Sequence, residues 1–248
     1  MRLHVLGSST YPSPGRPASG FVLRHEKTTV VLDLGPGSLL PLIEYLDPDT
    51  IDGVVISHQH VDHCADLFGL FHLWAHGPHR RQGVPLWAPA AALERFGAFV
   101  DKPGESAFGR VFATSPVGGG DSVTVGDLRL SFAAMDHSVP TVGTRVDSEH
   151  RSLFYTADTG AGGTWHELAA GCSLMLAEAS HLGDAANSPY LHHLTAGQAG
   201  MLARQAGARR LMLTHIPPHI DVTAAIMEAE TAFDRPVEPA VPGVTSEV

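Results

Sequence analysis

Residues 58–63 (HQHVDH) place three imidazoles and one carboxylate within six positions, and these are side chains that bind transition metals. His58 and His60 are two positions apart, so on an extended or tightly turning chain their rings point to the same side and can share one ion. Asp62 and His63 lie on the next turn of the chain and can face a second ion. The spacing therefore predicts two adjacent metal ions.

Other residues with metal-binding or carboxylate side chains follow strand-like runs at the point where each run ends. They are Asp33, His58, His137, Asp158, Glu178 and His215. Because polar residues at the same end of successive strands converge on one rim, we expect these side chains to meet. We assign three histidines to the first ion, namely His58, His60 and His137. The second ion takes Asp62, His63 and His215, and Asp158 bridges both ions.

Strand-sized apolar runs recur along the whole chain, and helix-like segments lie between several of them. The predicted strands are 3–6, 21–23, 30–32, 54–56, 84–87, 128–134, 153–155, 174–176 and 211–213. The predicted helices are 39–46, 65–76, 90–100, 195–206 and 222–233. This mixture predicts one α/β domain over residues 1–248, with an irregular tail at 236–248.

The composition excludes several classes of partner and favours one compartment. Sixteen Lys and Arg against 26 Asp and Glu give a formal net charge of −10, which argues against extended nucleic acid and anionic membrane as partners. Cys64 and Cys172 are the only cysteines, too few for a disulfide framework. No run is apolar enough for a signal peptide or a membrane span. We therefore expect a cytoplasmic protein.

The ligand series resembles that of the two-metal hydrolases of the metallo-β-lactamase fold. The pattern His-X-His-X-Asp-His at 58–63, followed by His137, Asp158 and His215, matches their complete ligand order, and the matching segments run from Leu3 to about His219. This resemblance implies an αββα sandwich, two mixed sheets with helices outside and the metals at one edge. It also implies two divalent ions, Zn²⁺ in the first instance, with Mn²⁺ or Fe²⁺ compatible with the same donors.

Within that superfamily the chain looks like the ribonuclease Z and cyclic-nucleotide phosphodiesterase branch. The similar segments include 155–160 (YTADTG), 193–195 (HLT) and 213–218 (LTHIPP). In this branch the histidine matched by His193 faces the metals and serves the leaving group. Many relatives are dimers, so the resemblance also implies a homodimer.

The resemblance implies a binuclear hydrolase in which a metal-bridging hydroxide attacks phosphorus. The catalytic residues are then Asp62, which binds metal and accepts a proton, and His193, which protonates the leaving oxygen. Asp33 and Glu178 are expected to orient ligand histidines. Their positions in the chain further predict that Arg80, Arg81, His181 and Arg145 contact substrate; His76 and His79 precede the first two.

One departure from the branch narrows the substrate. Bacterial ribonuclease Z inserts a tRNA-gripping arm between the ligands matched by His137 and Asp158, yet only the short segment 138–157 separates them here. The short gap and the negative charge favour a small phosphodiester, such as a cyclic nucleotide or a cyclic sugar phosphate. The alternatives are a lactonase, thioesterase or β-lactam hydrolase using the same metals, a tRNA-processing endonuclease, and a non-catalytic binding protein on the same scaffold.

Overall fold

The computed structural model describes residues 1–78, 80–163, 165–183 and 191–248. Over these residues, two seven-stranded mixed sheets stack face to face and helices cover both outer faces. The predicted four-layer αββα architecture is confirmed.

The first sheet comes mainly from the N-terminal half of the chain. Its strands are β1 (Arg2–Gly7), β2 (Gly20–His25), β3 (Thr28–Leu34), β4 (Gly53–Val55), β5 (Val84–Ala88), β6 (Phe112–Pro116) and β14 (Thr245–Glu247). They lie in the order β14-β1-β2-β3-β4-β5-β6. The strands from β3 to β6 pair in parallel, so their carboxyl ends meet at one edge.

The second sheet has the same mixed design. Its strands are β7 (Ser122–Val125), β8 (Leu128–Ala134), β9 (Val142–Asp147), β10 (Ser152–Tyr155), β11 (Leu174–Glu178), β12 (Arg210–Thr214) and β13 (Val237–Pro239). They lie in the order β13-β12-β11-β10-β9-β8-β7. The strands from β10 to β13 are parallel, and the others are antiparallel.

Helices α1 (Leu39–Tyr45), α2 (Val61–His76), α3 (Ala90–Val100) and α4 (Ala107–Val111) cover the first sheet, and α5 (His166–Ala169), α6 (Ala196–Gln205) and α7 (Val222–Phe233) cover the second. A capping box starts α6, because Thr195 and Gln198 each bond the other's backbone N–H. Asp221 caps α7, which ends at Asp234 in a left-handed conformation. None of the helices in the described ranges is both long and apolar enough to cross a membrane.

The apolar residues form three layers that match this architecture. Alternate residues of both sheets, such as Leu32 of β3 and Leu176 of β11, fill the space between the sheets. The opposite faces of the sheets pack against the helices, as Val54 does in the first sheet and Leu213 in the second. Both sheets are thus fixed from two sides, and the loops at their shared edge start from rigid strand ends.

Two sequence-based predictions about elements are wrong. Residues 236–248 are not an irregular tail, because β13 pairs with β12 in the second sheet and β14 pairs with β1 in the first. Strands of three residues among Pro and Gly carry too little pattern to be recognised, and only their pairing makes them strands. In addition, α2 begins at Val61 rather than at 65, so the second half of the metal-binding run is helical.

Candidate metal centre

The seven predicted ligands come from five separate segments that meet at the edge shared by the two sheets. They are His58 and His60 after β4, Asp62 and His63 in the first turn of α2, His137 after β8, Asp158 after β10, and His215 after β12. The structure brings their donor atoms into two groups, each within 4.8 Å. The two groups share Asp158.

The first group contains three histidines and one oxygen of Asp158. Nε2 of His137 lies 3.1 Å from Nδ1 of His60. Oδ2 of Asp158 lies 3.7 Å from Nε2 of His58 and 3.9 Å from Nε2 of His137. His58 is fully buried.

The second group contains two histidines and two carboxylates. Oδ1 of Asp158 lies 3.1 Å from Nε2 of His63 and 3.4 Å from Nε2 of His215. Oδ2 of Asp62 lies 3.7 Å and 3.1 Å from the same two nitrogens. Asp158 therefore offers one oxygen to each group, as a bridging carboxylate does.

These donor sets fit two divalent ions. Two donors on one tetrahedral zinc lie about 3.3 Å apart, and the separations above, from 3.1 to 3.9 Å, scatter around that value. Nε2 of His58, Nε2 of His63 and Oδ1 of Asp158 are buried and have no aligned hydrogen-bond partner. Buried polar atoms are rarely left in this way, so their convergence indicates cation ligands.

Asp33 orients one ligand histidine directly and a second through a serine. Its Oδ2 accepts hydrogen bonds from Nδ1 of His63 at 2.8 Å, the hydroxyl of Ser57 at 2.8 Å and the hydroxyl of Tyr155 at 2.7 Å. Since the Ser57 hydroxyl donates to Asp33, it accepts from Nδ1 of His58 at 3.0 Å. Both histidines thus keep their Nε2 lone pairs for the metal groups.

Glu178 and Ser180 do the same for His215. The Ser180 hydroxyl donates to Oε2 of Glu178 at 2.6 Å and accepts from Nδ1 of His215 at 2.8 Å. Glu178 is fully buried at the end of β11 and also accepts the backbone N–H of Thr159 at 2.7 Å. The carboxylate therefore links the loop of Asp158 to the orientation of a ligand on the neighbouring strand.

Ser180→Ala is expected to weaken the second ion while leaving the fold intact. The change removes the acceptor of His215 Nδ1, and loss of such an outer partner typically costs about 10- to 100-fold in metal affinity. Competition with a chromogenic chelator measures the two affinities, and only one of them should shift. Ser148→Ala, in an exposed turn, is the matched control. Unchanged affinities in Ser180→Ala would contradict the role given to the hydroxyl.

The electrostatics of the site favour neutral histidines and bound positive charge. Burial holds the pKa values of His58, His60 and His137 below the ordinary histidine value, so these rings are neutral and can coordinate. Burial alone would also lower the pKa of His63, but Asp158, Asp62 and Asp33 around it raise that pKa well above the ordinary value. The three carboxylates carry negative charge that bound divalent cations would neutralise.

His193 lies beside the second group and is held by Glu178. Its Nδ1 is 3.0 Å from Oε1 of Glu178, and its ring stacks at 5.6 Å on the ring of His215. Burial would lower the pKa of His193, but the Glu178 carboxylate outweighs it and raises the pKa to about 9. The imidazole is therefore protonated near neutral pH. Since its side chain is one-fifth exposed, it reaches a cavity that also exposes the metal groups.

Three residues at these strand ends have left-handed backbone conformations, which are unfavourable for every residue type except glycine. They are Asp33 (φ 58°), Ala157 (φ 52°) and His215 (φ 56°). Each such residue costs about 1–3 kcal/mol, and such strain persists where the surroundings determine the conformation. Here the strain redirects the chain directly at or before a residue of the site. Gly35 has a related role, because a Cβ there would lie 1.9 Å from the carbonyl oxygen of Asp62.

Arg80 and Arg81, which were predicted to contact substrate, lie away from the cavity at the metal groups. Both follow the far end of α2, a 16-residue helix that spans about 24 Å from the metal groups at its first turn. The Arg81 guanidinium donates to the carbonyls of Pro48 and Ile51 and lies over the ring of Trp74. Arg80 is exposed. Position along the chain suggested proximity, but the length of the helix carries both arginines away.

Arg145, which was also predicted to contact substrate, lies away from the cavity at the metal groups. Its guanidinium pairs with Asp147 and donates to the carbonyls of Leu168 and Ala170, so it holds the C-terminal end of α5. His181, in contrast, lines the cavity beside His193, with the two ring centroids 6.2 Å apart. His76 lies in the last turn of α2, and His79 lies outside the described residues.

The sequence alone did not identify several residues of the site. Ser57, Tyr155 and Ser180 contribute hydroxyl groups that orient ligands or their carboxylate partners. Tyr11 and His219 line the cavity from loops far apart in the chain. Serine and tyrosine are common in every context, so only their distances to ligands identify them.

Comparison with known proteins agrees with the fold. Residues 28–216 match the family model of the Beta-lactamase superfamily domain. The chain therefore belongs to this superfamily and is a metallo-hydrolase of the metallo-β-lactamase fold. A divalent metal site is a feature that this fold implies.

Among sequence relatives, the uncharacterized protein Rv1339 of Mycobacterium tuberculosis is 37% identical, over all of this chain and 92% of the relative. The probable metallo-hydrolase YhfI of Bacillus subtilis is 26% identical over 98% of both chains. The crystal structure of YhfI has a TM-score of 0.88, with 24% identity over 100% of this chain and 98% of that one. Human short-form tRNase Z has a TM-score of 0.78, with 22% identity over 100% and 99%.

Proposed function

We propose that this metallo-hydrolase is a binuclear phosphodiesterase for a small phosphodiester, such as a cyclic nucleotide or a cyclic sugar phosphate. The observation that carries the proposal is the position of His193. Its imidazole enters the cavity next to the second metal group and is held by a buried carboxylate, Glu178. A protonated imidazole in this position suits a basic alkoxide leaving group, which a phosphodiester releases.

Two divalent ions held by the seven ligands would supply Lewis-acid activation of water and neutralise phosphate charge. Asp62 is about one-quarter exposed and faces the cavity, so its carboxylate can accept a proton from the attacking water. The pKa of Asp62 is lowered, because His63 and His215 outweigh the effect of burial, and the carboxylate therefore stays ionised. His193 gives its Nε2 proton to the leaving oxygen, while Glu178 holds the opposite nitrogen.

The size of the cavity supports a compact substrate. The cavity at the metal groups measures about 430 Å³, within the range of pockets for small molecules. Half of the segment 138–157, between His137 and Asp158, lies in β9 and β10, and the short connections that remain form no protruding arm. Among the residues described, neither Lys nor Arg lines the cavity. These features favour a substrate with one phosphodiester over a transfer RNA.

The first competing function uses the same ions on a carbonyl carbon, as a lactonase, thioesterase or β-lactam hydrolase does. Names among the relatives favour phosphorus chemistry, since they include ribonuclease Z of Thermobifida fusca and a diphosphatase of the PhnP family. A non-catalytic binding protein is the second alternative, and the complete donor set argues against it.

We further propose zinc as the native metal, a cytoplasmic location and a homodimeric assembly.

A substrate panel with defined metals tests the proposal. Protein loaded with Zn²⁺, Mn²⁺ or Fe²⁺ is assayed on cyclic nucleotides, cyclic sugar phosphates, precursor tRNA, acyl-homoserine lactones and thioesters. We expect turnover of a cyclic phosphodiester to exceed that of every carbonyl substrate by at least about 100-fold, a difference of about 2.7 kcal/mol in transition-state binding. Efficient lactone or thioester turnover without phosphodiester cleavage would contradict the proposal.

A further inference from the structure

Two histidines on α2 form a pair of metal-binding side chains that has no part in the mechanism above. His72 and His76 are four positions apart, so they are neighbours on one face of the helix. Both are exposed, because the side of α2 that packs into the protein carries Leu67, Leu70 and Trp74. The centroids of the two imidazole rings lie 4.7 Å apart, with their planes tilted by 51°. Two imidazoles at this helical spacing can bind the same ion.

The pair is too far from the metal centre to share its ions. At about 1.5 Å per residue, His72 and His76 lie about 14 and 20 Å along the helix axis from His63. His63 is in the first turn of α2, where the seven ligands meet, whereas His76 is in the last turn. An ion bound by the pair would therefore be a separate ion.

The separation of the two rings indicates which ions suit the pair. A metal about 2.1 Å from an imidazole nitrogen lies about 3.2 Å from the centre of that ring. Ring centres 4.7 Å apart then subtend an angle of about 95° at the ion. This angle is close to the roughly 90° between neighbouring positions of a square-planar or octahedral ion, so Cu²⁺ and Ni²⁺ fit. Divalent ions of the first transition row also bind nitrogen donors most tightly when the ion is Cu²⁺.

The helix holds both rings close to the positions that an ion needs. Between them lies Trp74, which is buried and fixes this part of α2 against the sheet. The last turn is closed by the N–H of Gly77, which donates to the carbonyl of Leu73 at 2.8 Å. Little backbone freedom is therefore lost when an ion binds. A cation at the last turn also lies at the negative end of the helix dipole, which favours it.

We propose that His72 and His76 form a surface site for one late first-row transition ion, with Cu²⁺ bound most tightly, then Ni²⁺, then Zn²⁺. The ion links the last two turns of α2 through one nitrogen of each ring, and water takes its remaining positions. The site is independent of the proposed phosphodiesterase function, since it lies outside the cavity at the metal groups. Because only two protein donors hold this ion, it should be lost on dialysis, unlike the ions of the metal centre.

Calorimetric titration of the zinc-loaded, dialysed protein with Ni²⁺ tests the site. We expect about one further ion per chain, and either His72→Ala or His76→Ala should weaken its binding at least about tenfold, because each imidazole raises the effective concentration of the ion at the other. The double variant should be little weaker than either single variant, since one imidazole alone does not chelate. His150→Ala, at another exposed histidine, is the matched control and should bind Ni²⁺ as the wild type does. Zinc content measured afterwards checks that the metal centre has kept its ions.

Thermal unfolding gives a second measurement. An ion that binds the folded helix better than the unfolded chain raises Tm, so Ni²⁺ should raise Tm in the wild type and in His150→Ala, but not in His72→Ala or His76→Ala. Both single variants should fold, because the positions are exposed and alanine favours helix. Equal Ni²⁺ affinity in the wild type and in His72→Ala, or no further Ni²⁺ bound by the wild type, would overturn the site. Tighter binding of Zn²⁺ than of Cu²⁺ would overturn the class of ion.

Discussion

Asp158→Asn is expected to remove both ions and to lower turnover by at least about three orders of magnitude. Its two oxygens are shared between the groups, with Oδ1 3.1 Å from His63 and Oδ2 3.7 Å from His58. An amide keeps the shape but loses the charge and one acceptor, so each ion loses an anionic donor at once. Metal ions supply several kcal/mol of transition-state stabilisation, and about 1.4 kcal/mol corresponds to a factor of ten in rate.

Metal analysis and steady-state kinetics on the same preparation check this prediction. The wild type should retain about two ions per chain after dialysis, as two donor groups imply, and Asp158→Asn fewer than one. Glu149→Gln, at a carboxylate 84% exposed on the surface, is the control for loss of one negative charge. Two retained ions together with wild-type turnover in Asp158→Asn would show that this carboxylate does not bridge the site.

His193→Ala has the second-largest expected effect, and it should be an effect on chemistry without loss of metal. His193 is outside the two donor groups that share Asp158, although it stacks on His215. Its side chain is instead bonded to Glu178. Loss of a positioned proton donor should lower kcat by roughly 10²–10⁴. Metal content measured on the same protein should equal that of the wild type.

The size of the His193 defect should depend on the leaving group. A nitrophenyl phosphodiester releases a weakly basic phenolate that needs no protonation, so His193→Ala should be impaired much less on it than on an alkyl phosphodiester. His150→Ala, at an exposed surface histidine, controls for loss of an imidazole. An equal defect on both substrates would argue that His193 positions other groups and donates no proton. Loss of metal from His193→Ala would show that it is a ligand.

Prediction from the sequence worked best where a residue type is both rare and chemically specific. Histidine and aspartate at strand ends predicted the seven donors, and the structure brings those donors into the two expected groups. Prediction was less informative where the reach of a long side chain was inferred from its position in the chain. Arg81 and Arg145 follow or precede site segments closely, yet both donate to backbone carbonyls elsewhere. An arginine can reach any of many acceptors, so its sequence position says little about which one it binds.

Helices and strands were also predicted best where the signal is local in the sequence. Helix α7 at Val222–Phe233 and helix α3 at Ala90–Val100 have the predicted bounds, because local residues mark where they begin, Asp221 as the cap of α7 and Pro89 before α3. The strands at Val237–Pro239 and Thr245–Glu247 were missed, since their identity depends on the edges of β12 and β1 against which they pair. Local pattern cannot report a partner at the opposite end of the chain, as β1 is for β14.

The sequence by itself determined the αββα fold class and a set of donor residues sufficient for two ions, because side-chain chemistry and short-range periodicity are written locally. Only the tertiary structure decided which donor atoms meet in the two metal groups. The hydroxyls of Ser57 and Ser180, directed by Asp33 and Glu178, fix the tautomers of His58 and His215. It also decided what surrounds the ions, since Tyr11 and His219 are brought together from distant parts of the chain. Hydrogen-bond direction and cavity shape depend on distances across the fold, and these exist only after both sheets have packed.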